Sequence, residues 1–139
     1  MPNSKKLIID GYESADMWQL VEDEAPLAEA PAIITLARLC SEGAEIAAAG
    51  QKLGVILRAG EKQGEDVHAL QPFLDNLALV AIEFPVYRNG RGYSNARILR
   101  EQMGFRGEIR AMGEVLFDQW QFMHRCGINA FEVDADTSL

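Results

Sequence analysis

Residues 84–94, with the sequence FPVYRNGRGYS, bring arginine, glycine and hydroxyl side chains together directly after an apolar run. Glycine lets the backbone approach a ligand closely, and arginine offers a fork of N–H donors that fits an oxyanion. A helix following this loop would add its first backbone N–H groups. The pattern therefore predicts an anion-binding loop, with these candidate ligands: Arg88, Asn89, Arg91, Gly92, Tyr93 and Ser94.

The same stretch also allows a structural interpretation. A tight turn from a strand into a helix needs glycine for its own geometry, and surface arginines commonly form weak ion pairs with nearby carboxylates. The glycine spacing in GRGYS matches neither a dinucleotide-binding fingerprint nor a P-loop. Both interpretations of the loop stay open at this stage.

A second polar group follows the next apolar run, in RAMGEVLFDQ. Arg110 and Gly113 would extend the anion site, as would Arg97 on the helix that follows the loop. Glu114 and Asp118 are four residues apart, so on a helix they would share one face and could bind a cation or transfer a proton. They are the candidate catalytic residues, although carboxylates at such a position more often stabilise a helix N-terminus.

Other catalytic patterns are weaker. Ser94, His124 and Asp118 together contain the residue types of a hydrolase triad, but no GxSxG sequence surrounds Ser94. The cysteines, Cys40 and Cys126, are expected to be buried reduced thiols. The histidines and cysteines are isolated, whereas zinc ligands usually come in close pairs, so no metal site is predicted and the cofactor stays unknown.

Glu83 ends the apolar run LALVAIE, and a carboxylate in such a run needs a partner. Arg110 on the next run is the predicted one. Glu83 ends its strand and could point toward the same site as Glu114 and Asp118.

The elements that must position these residues alternate between apolar runs of strand length and helical patterns. Strands are predicted at residues 32–37, 53–59, 77–84, 108–113 and 130–133, with 6–10 as an edge strand. Helices are predicted at residues 41–50, 66–76, 94–104 and 115–127, with Ser94 as an N-cap and Gly104 and Gly127 as C-terminal stops.

This alternation predicts an α/β fold, a single domain of consecutive βα units with a mainly parallel sheet. The architecture would be a small open sheet or a half-barrel, since a complete eight-stranded barrel takes about 250 residues. Residues 1–139 would form the domain, with residues 1–30 as a candidate N-terminal arm. In such folds ligands bind at the carboxyl ends of strands, where the arginine-bearing loop is expected.

Charge and hydropathy narrow the function classes. A net charge of −8 argues against nucleic acid as a partner. No apolar window approaches the roughly 18 residues of a membrane span, so the protein is expected in the cytoplasm, away from membranes. Residues 12–30 carry acids without a base, whereas residues 88–110 hold six arginines against two glutamates. This local excess of positive charge predicts a small anion or an acidic partner segment.

From residue 84 to residue 133 the chain resembles DUF934, a family of uncharacterised bacterial proteins. The stretch that carries the resemblance begins FPVYRNGRGYSNARILREQMGFRGEIRAMGE and continues to FEV, and WQLVEDEAP and LGVILRAGE match more loosely. The family usually has Asp at the positions of Asn89 and Glu114. The positions that match are Arg91, Gly92, Tyr93, Ser94, Arg97, Arg100, Arg110, Gly113 and Asp118.

The resemblance implies a setting in sulfur assimilation, because members are commonly encoded beside assimilatory sulfite reductase and some are labelled oxidoreductases. One hypothesis is an accessory factor that binds a small anion or the sulfite reductase through the arginine-bearing loop. Another is an oxidoreductase acting on an anionic substrate. A third is a purely structural subunit whose half-barrel edge pairs with a second copy, as a homo-oligomer, or with another protein.

Overall fold

The computed structural model describes residues 5–10, 12–15, 18–21, 31–48, 53–58, 67–84, 91–113, 115 and 119–134. The strands are β1 (Lys5–Ile9), β2 (Tyr12–Ser14), β3 (Gln19–Leu20), β4 (Ala32–Thr35), β5 (Leu53–Leu57), β6 (Leu77–Phe84), β7 (Glu108–Gly113) and β8 (Ala130–Asp134). The helices are α1 (Leu36–Ala48), a 3-10 helix (Val67–Asn76), α2 (Arg91–Arg97), which continues into a π-helical turn (Ile98–Gln102), and α3 (Trp120–Arg125). The chain is therefore a mixed α/β protein.

All eight described strands belong to one sheet in the order β2-β1-β8-β7-β6-β5-β4-β3. Neighbours from β3 to β8 run parallel, whereas β1 runs antiparallel to both β2 and β8. The prediction of a mainly parallel sheet therefore needs correction to a mixed sheet. The physical reason is that β1 and β2 form a hairpin, which is antiparallel by construction. The predicted edge strand at 6–10 is β1, and β2 covers its outer side.

The sheet is curled into an open half-barrel, and its connectivity requires the curl. In a flat sheet of eight strands the outer strands would lie about 34 Å apart, since neighbouring strands are about 4.8 Å apart. The outer strands β2 and β3 are joined by residues 15–18 alone, and the step from Ser14 to Gln19 spans at most about 18 Å of extended chain. The two edges must therefore approach each other.

The two faces of the curled sheet differ in what covers them. The convex face packs against the helices, with Leu39 of α1, Leu99 of the π-helical turn and Met123 of α3 fully buried against the strands. The concave face holds a smaller apolar cluster of strand residues, against which Trp18 from the connection between the edges also packs. The main hydrophobic core thus lies between sheet and helices, and the concave face is closed in by the curl.

Several helix boundaries differ from prediction for physical reasons. Helix α1 begins at Leu36 rather than at residue 41, because Thr35 ends the strand and its Oγ1 accepts a hydrogen bond from the Arg38 backbone N–H at 3.2 Å. The segment predicted as a helix at 66–76 is a 3-10 helix that contains Pro72, which lacks the N–H donor of an α-helical bond. The predicted stops are confirmed, since Gly104 and Gly127 both have positive φ.

Candidate functional site

The carboxyl ends of β6 and β7 are neighbours in the sheet. Phe84, the last residue of β6, pairs in register with Gly113, the last residue of β7. The arginine-bearing segment leaves the sheet after Phe84, and the segment with Glu114 and Asp118 leaves it after Gly113. The register therefore makes the two predicted functional segments start side by side at one edge.

Gly92 is the second residue of α2 and lies against the ring of Phe84. A Cβ atom at this position would be 2.5 Å from Cε1 of Phe84, far inside van der Waals contact. Ser94 was predicted to cap this helix, and that prediction is wrong, because the helix already begins at Arg91 and Ser94 is an exposed residue within it. Gly92 was expected in the loop before the helix, where it would let the backbone approach a ligand closely, but in the structure it is helical and packs closely against Phe84.

Gly113 also lies close to Phe84, in this case to its backbone. Its φ is +84°, in the region that favours glycine, and a Cβ atom there would lie 2.5 Å from the carbonyl oxygen of Phe84. Gly92 and Gly113 thus both allow close packing onto Phe84. The edge from which the two segments leave is consequently tightly packed.

Tyr93 joins α2 to α3 at this edge. Its ring lies between Phe84, at 5.2 Å between centroids, and Phe122 of α3, at 4.8 Å. Its hydroxyl group forms a hydrogen bond of 2.5 Å with Oε1 of Gln119, immediately before α3. Tyr93 therefore supports the edge through aromatic packing and a hydrogen bond.

An ion pair that the sequence pattern did not reveal lies on the concave face at the same end of the sheet. Arg58, directly after β5, donates from an Nη atom to Oε2 of Glu83 on β6 at 3.1 Å. Both side chains are partly exposed, at 40% and 32%. In the sequence, Arg58 and Glu83 each lie at the end of an apolar run of strand length. Their pairing could not be predicted from this pattern, because it depends on the register between β5 and β6.

Arg110 was predicted to pair with Glu83 and to contribute to the anion site. The structure pairs its Nε with Oε2 of Glu108, two residues earlier on β7, at 2.7 Å. The Arg110 side chain is 1% exposed on the concave face, in line with Glu108 and Met112. It is thus a buried component of the half-barrel, set back from the carboxyl edge.

Arg97 and Arg100 point away from the start of α2. Nε of Arg97 lies 3.5 Å from Sγ of Cys126, and this hydrogen bond raises the pKa of the exposed guanidinium. Arg100 donates to the backbone carbonyl oxygens of Phe105, Gly107 and Gly127, and partial burial lowers its pKa. Arg100 is therefore a structural cross-link between the loop before β7 and the turn after α3.

Some of the remaining candidates lie outside the described residues, and the others lie on or next to the helices. Arg88, Asn89, Glu114 and Asp118 lie outside the described residues, and for Arg91 only the backbone is described. His124 is exposed in the last turn of α3, and of the two free cysteines Cys126 is buried, as predicted, whereas Cys40 is exposed. Within the described ranges no three His, Cys, Asp or Glu side chains converge on a common point.

A cleft of about 400 Å³ lies at the opposite, amino edge of the sheet. The 3-10 helix and residues 103–107 form its walls, and Arg106 and Asp75 are the charged residues that line it. Since the predicted site is at the carboxyl edge, this cleft is separate from it.

The carboxyl edge of β6 and β7 is built mainly from packing contacts around Phe84. The described side chains there supply aromatic packing, a backbone shaped by two glycines and an ion pair. In the described residues no helix is both long and apolar enough to cross a membrane.

Comparison with known proteins identifies the family. The family model described as "Bacterial protein of unknown function (DUF934)" matches residues 54–139, which is more than half of the chain. The protein therefore belongs to the DUF934 family. No curated protein matches the sequence. The matched region covers β5 to β8 together with α2 and α3, so the whole carboxyl edge described above falls within it.

Proposed function

We propose that this DUF934 protein is an accessory factor of sulfate or sulfite assimilation that binds a small oxyanion at the carboxyl edge of β6 and β7. Arg88 and Arg91 bind the anion, with Asn89, Ser94 and the backbone around Gly92 completing the site. The protein acts in the cytoplasm and delivers or senses the anion without turning it over. The sulfur context comes from the resemblance to the family, and the anion chemistry comes from the arginines.

One observation carries the proposal, namely the register that pairs Phe84 with Gly113. It makes the segment with Arg88 and the segment with Glu114 leave the sheet at neighbouring positions. The two close glycine contacts make this edge tightly packed around Phe84. A binding segment anchored at both ends to rigid elements loses less conformational freedom when it closes on a ligand.

Charge supports the choice of an anion. Arg58 and Arg110 each form an ion pair with a carboxylate on the sheet, so their charges are already compensated. The segment from Phe84 to the first residue of α2 adds two arginines, Arg88 and Arg91, and no acid. Because a guanidinium binds two oxygen atoms of one ligand at once, sulfate, sulfite and phosphate fit this chemistry.

A thermal-shift experiment tests the proposal. Wild type, Arg91→Ala and the control Arg106→Ala are heated with sulfite, sulfate, phosphate, adenylyl sulfates, nicotinamide nucleotides or flavins. A ligand at about 100 times its Kd stabilises the folded state by about 2.7 kcal/mol, which raises Tm by several degrees. We expect one oxyanion to raise Tm of wild type and of Arg106→Ala, and the increase to disappear in Arg91→Ala.

Sulfate also stabilises proteins without binding, because it is excluded from their surfaces. That effect would be equal in all three proteins, and an equal shift would therefore argue against the proposed site. A response to a flavin or nicotinamide nucleotide alone would favour the oxidoreductase instead. If no compound changes Tm, the oxyanion proposal fails, and sulfite reductase becomes the partner to test by co-purification.

A further inference from the structure

The outer surface of α2 and α3 combines an exposed aromatic ring with two exposed arginines. Phe122 on α3 is 48% exposed although its ring edge contacts Tyr93. Arg97 of α2 lies beside the end of α3, with Nε 3.5 Å from Sγ of Cys126. Arg125 is exposed and three residues after Phe122, so both lie on the same side of α3. We call Arg97, Phe122 and Arg125 the helix seam.

The positive charge of the helix seam is little compensated within the described structure. No described carboxylate forms a salt bridge with Arg97 or Arg125, whereas Arg38, Arg58 and Arg110 each have one. His124 is also exposed next to Arg125, and the nearby acid is Glu101, one turn after Arg97. On a chain of net charge −8, the seam is thus a local surface of opposite sign.

We propose that the helix seam is a docking surface for an acidic segment of a partner protein, one that carries an apolar side chain between its carboxylates. The carboxylates pair with Arg97 and Arg125, and the apolar side chain covers the exposed part of Phe122. This surface is independent of the proposed oxyanion site, because none of its three residues belongs to the segment after Phe84.

The combination of groups selects a peptide over other anions. An inorganic anion has no apolar part and would leave Phe122 exposed. A nucleic acid could stack a base on Phe122, but it carries a phosphate at every nucleotide and would bring a long row of negative charges to a chain of net charge −8, whereas a peptide segment needs carboxylates only beside Arg97 and Arg125. Exposed aromatic and arginine side chains are the residue types enriched at the centres of protein–protein interfaces.

The test uses fluorescence anisotropy with the whole protein and a labelled peptide of alternating glutamate and leucine. We expect binding that weakens when NaCl rises from about 0.05 M to about 0.5 M, because the pairs are surface charges. Charge reversal of both arginines, Arg97→Glu with Arg125→Glu, should weaken binding about tenfold or more. Phe122→Ser should weaken it by a similar factor, since an aromatic contact is lost.

Matched controls lie elsewhere on the molecule. Arg106→Glu reverses an exposed arginine at the amino edge, and Tyr12→Ser removes a ring that is 76% exposed on β2. Both should bind the peptide like wild type. Circular dichroism of each variant shows whether it is folded, and the single variant Arg125→Glu replaces the double one if the loss of the Arg97 contact unfolds the helix pair.

Three results would overturn the proposal. The first is equal binding of a peptide of alternating lysine and leucine, which would mean that binding does not depend on the sign of the peptide's charge. The second is a loss of binding in Arg106→Glu as large as in the helix-seam variant, which would mean that the peptide does not bind specifically at the helix seam. The third is tighter binding of single-stranded DNA than of the acidic peptide, which would assign the surface to nucleic acid.

Discussion

Arg100 offers the sharpest test of the structure, because an arginine at this position could either bind a ligand or stabilise the fold. Its guanidinium donates to the carbonyl oxygens of Gly127, Phe105 and Gly107 at 2.8, 2.9 and 2.7 Å. These carbonyls belong to the turn after α3 and to the loop before β7. Replacing Arg100 with methionine keeps most of the aliphatic stem and removes all three bonds.

The expected loss of stability follows from these contacts. A hydrogen bond from a charged donor contributes about 1.5–3 kcal/mol, and three of them would give an upper limit of about 9 kcal/mol. Arg100 is only partly buried, so water replaces part of what is lost, and removing the charge also relieves the desolvation that lowers its pKa. We therefore expect Arg100→Met to reduce the free energy of unfolding by about 3 kcal/mol.

Urea unfolding followed by circular dichroism measures this change, with Arg97→Met and Arg106→Met as controls. Arg97 is exposed and has a long contact to a thiol, and Arg106 is exposed at the cleft, so each control should change the free energy by less than about 0.5 kcal/mol. If Arg100→Met falls within the range of the controls, the assignment of Arg100 as a structural cross-link is refuted.

Two further predictions concern packing. Gly92→Ala should reduce the free energy of unfolding by about 1–3 kcal/mol, because the added Cβ would overlap the Phe84 ring. Ser94→Ala, on the exposed side of the same helix, should change it by less than about 0.5 kcal/mol, and urea unfolding of both variants measures the difference. With a thiol reagent under native conditions, the exposed Cys40 should react quickly, whereas Cys126, which is 2% exposed, should react only as fast as the protein opens locally. Equal reaction rates for the two thiols would contradict the described burial of Cys126.

The strands were the most predictable part of the fold. β6 and β7 have the predicted boundaries. β6 is a long apolar run, and β7 is shorter and contains two charged residues, but both are buried through their middle on the two faces of the sheet. The curl was left open between a half-barrel and an open sheet, since it depends on which strands become the edges. That choice follows from the pairing of β1 with β8, which no local pattern encodes.

The site was less predictable, and the errors share a cause. Ser94 was expected to cap α2 from its residue type, but the helix begins at Arg91, and Gly92 in its first turn packs against Phe84 of β6. Glu83 was expected to pair with Arg110, but the register brings Arg58 to it. In both cases the observed arrangement includes a contact between different elements of the fold, and such contacts depend on register and packing rather than on residue type.

The pairing of β1 with β8 has a consequence for how the chain folds. Lys5 pairs with Asp134, so the first described strand cannot join the sheet until the last has been synthesised. Until then β8 is absent and the outer side of β7 is an unpaired strand edge, which can bind other chains. Contacts so distant in sequence form slowly. We therefore expect refolding to be limited by insertion of β1, and a fragment restricted to residues 54–139 to aggregate through the open edge of β8.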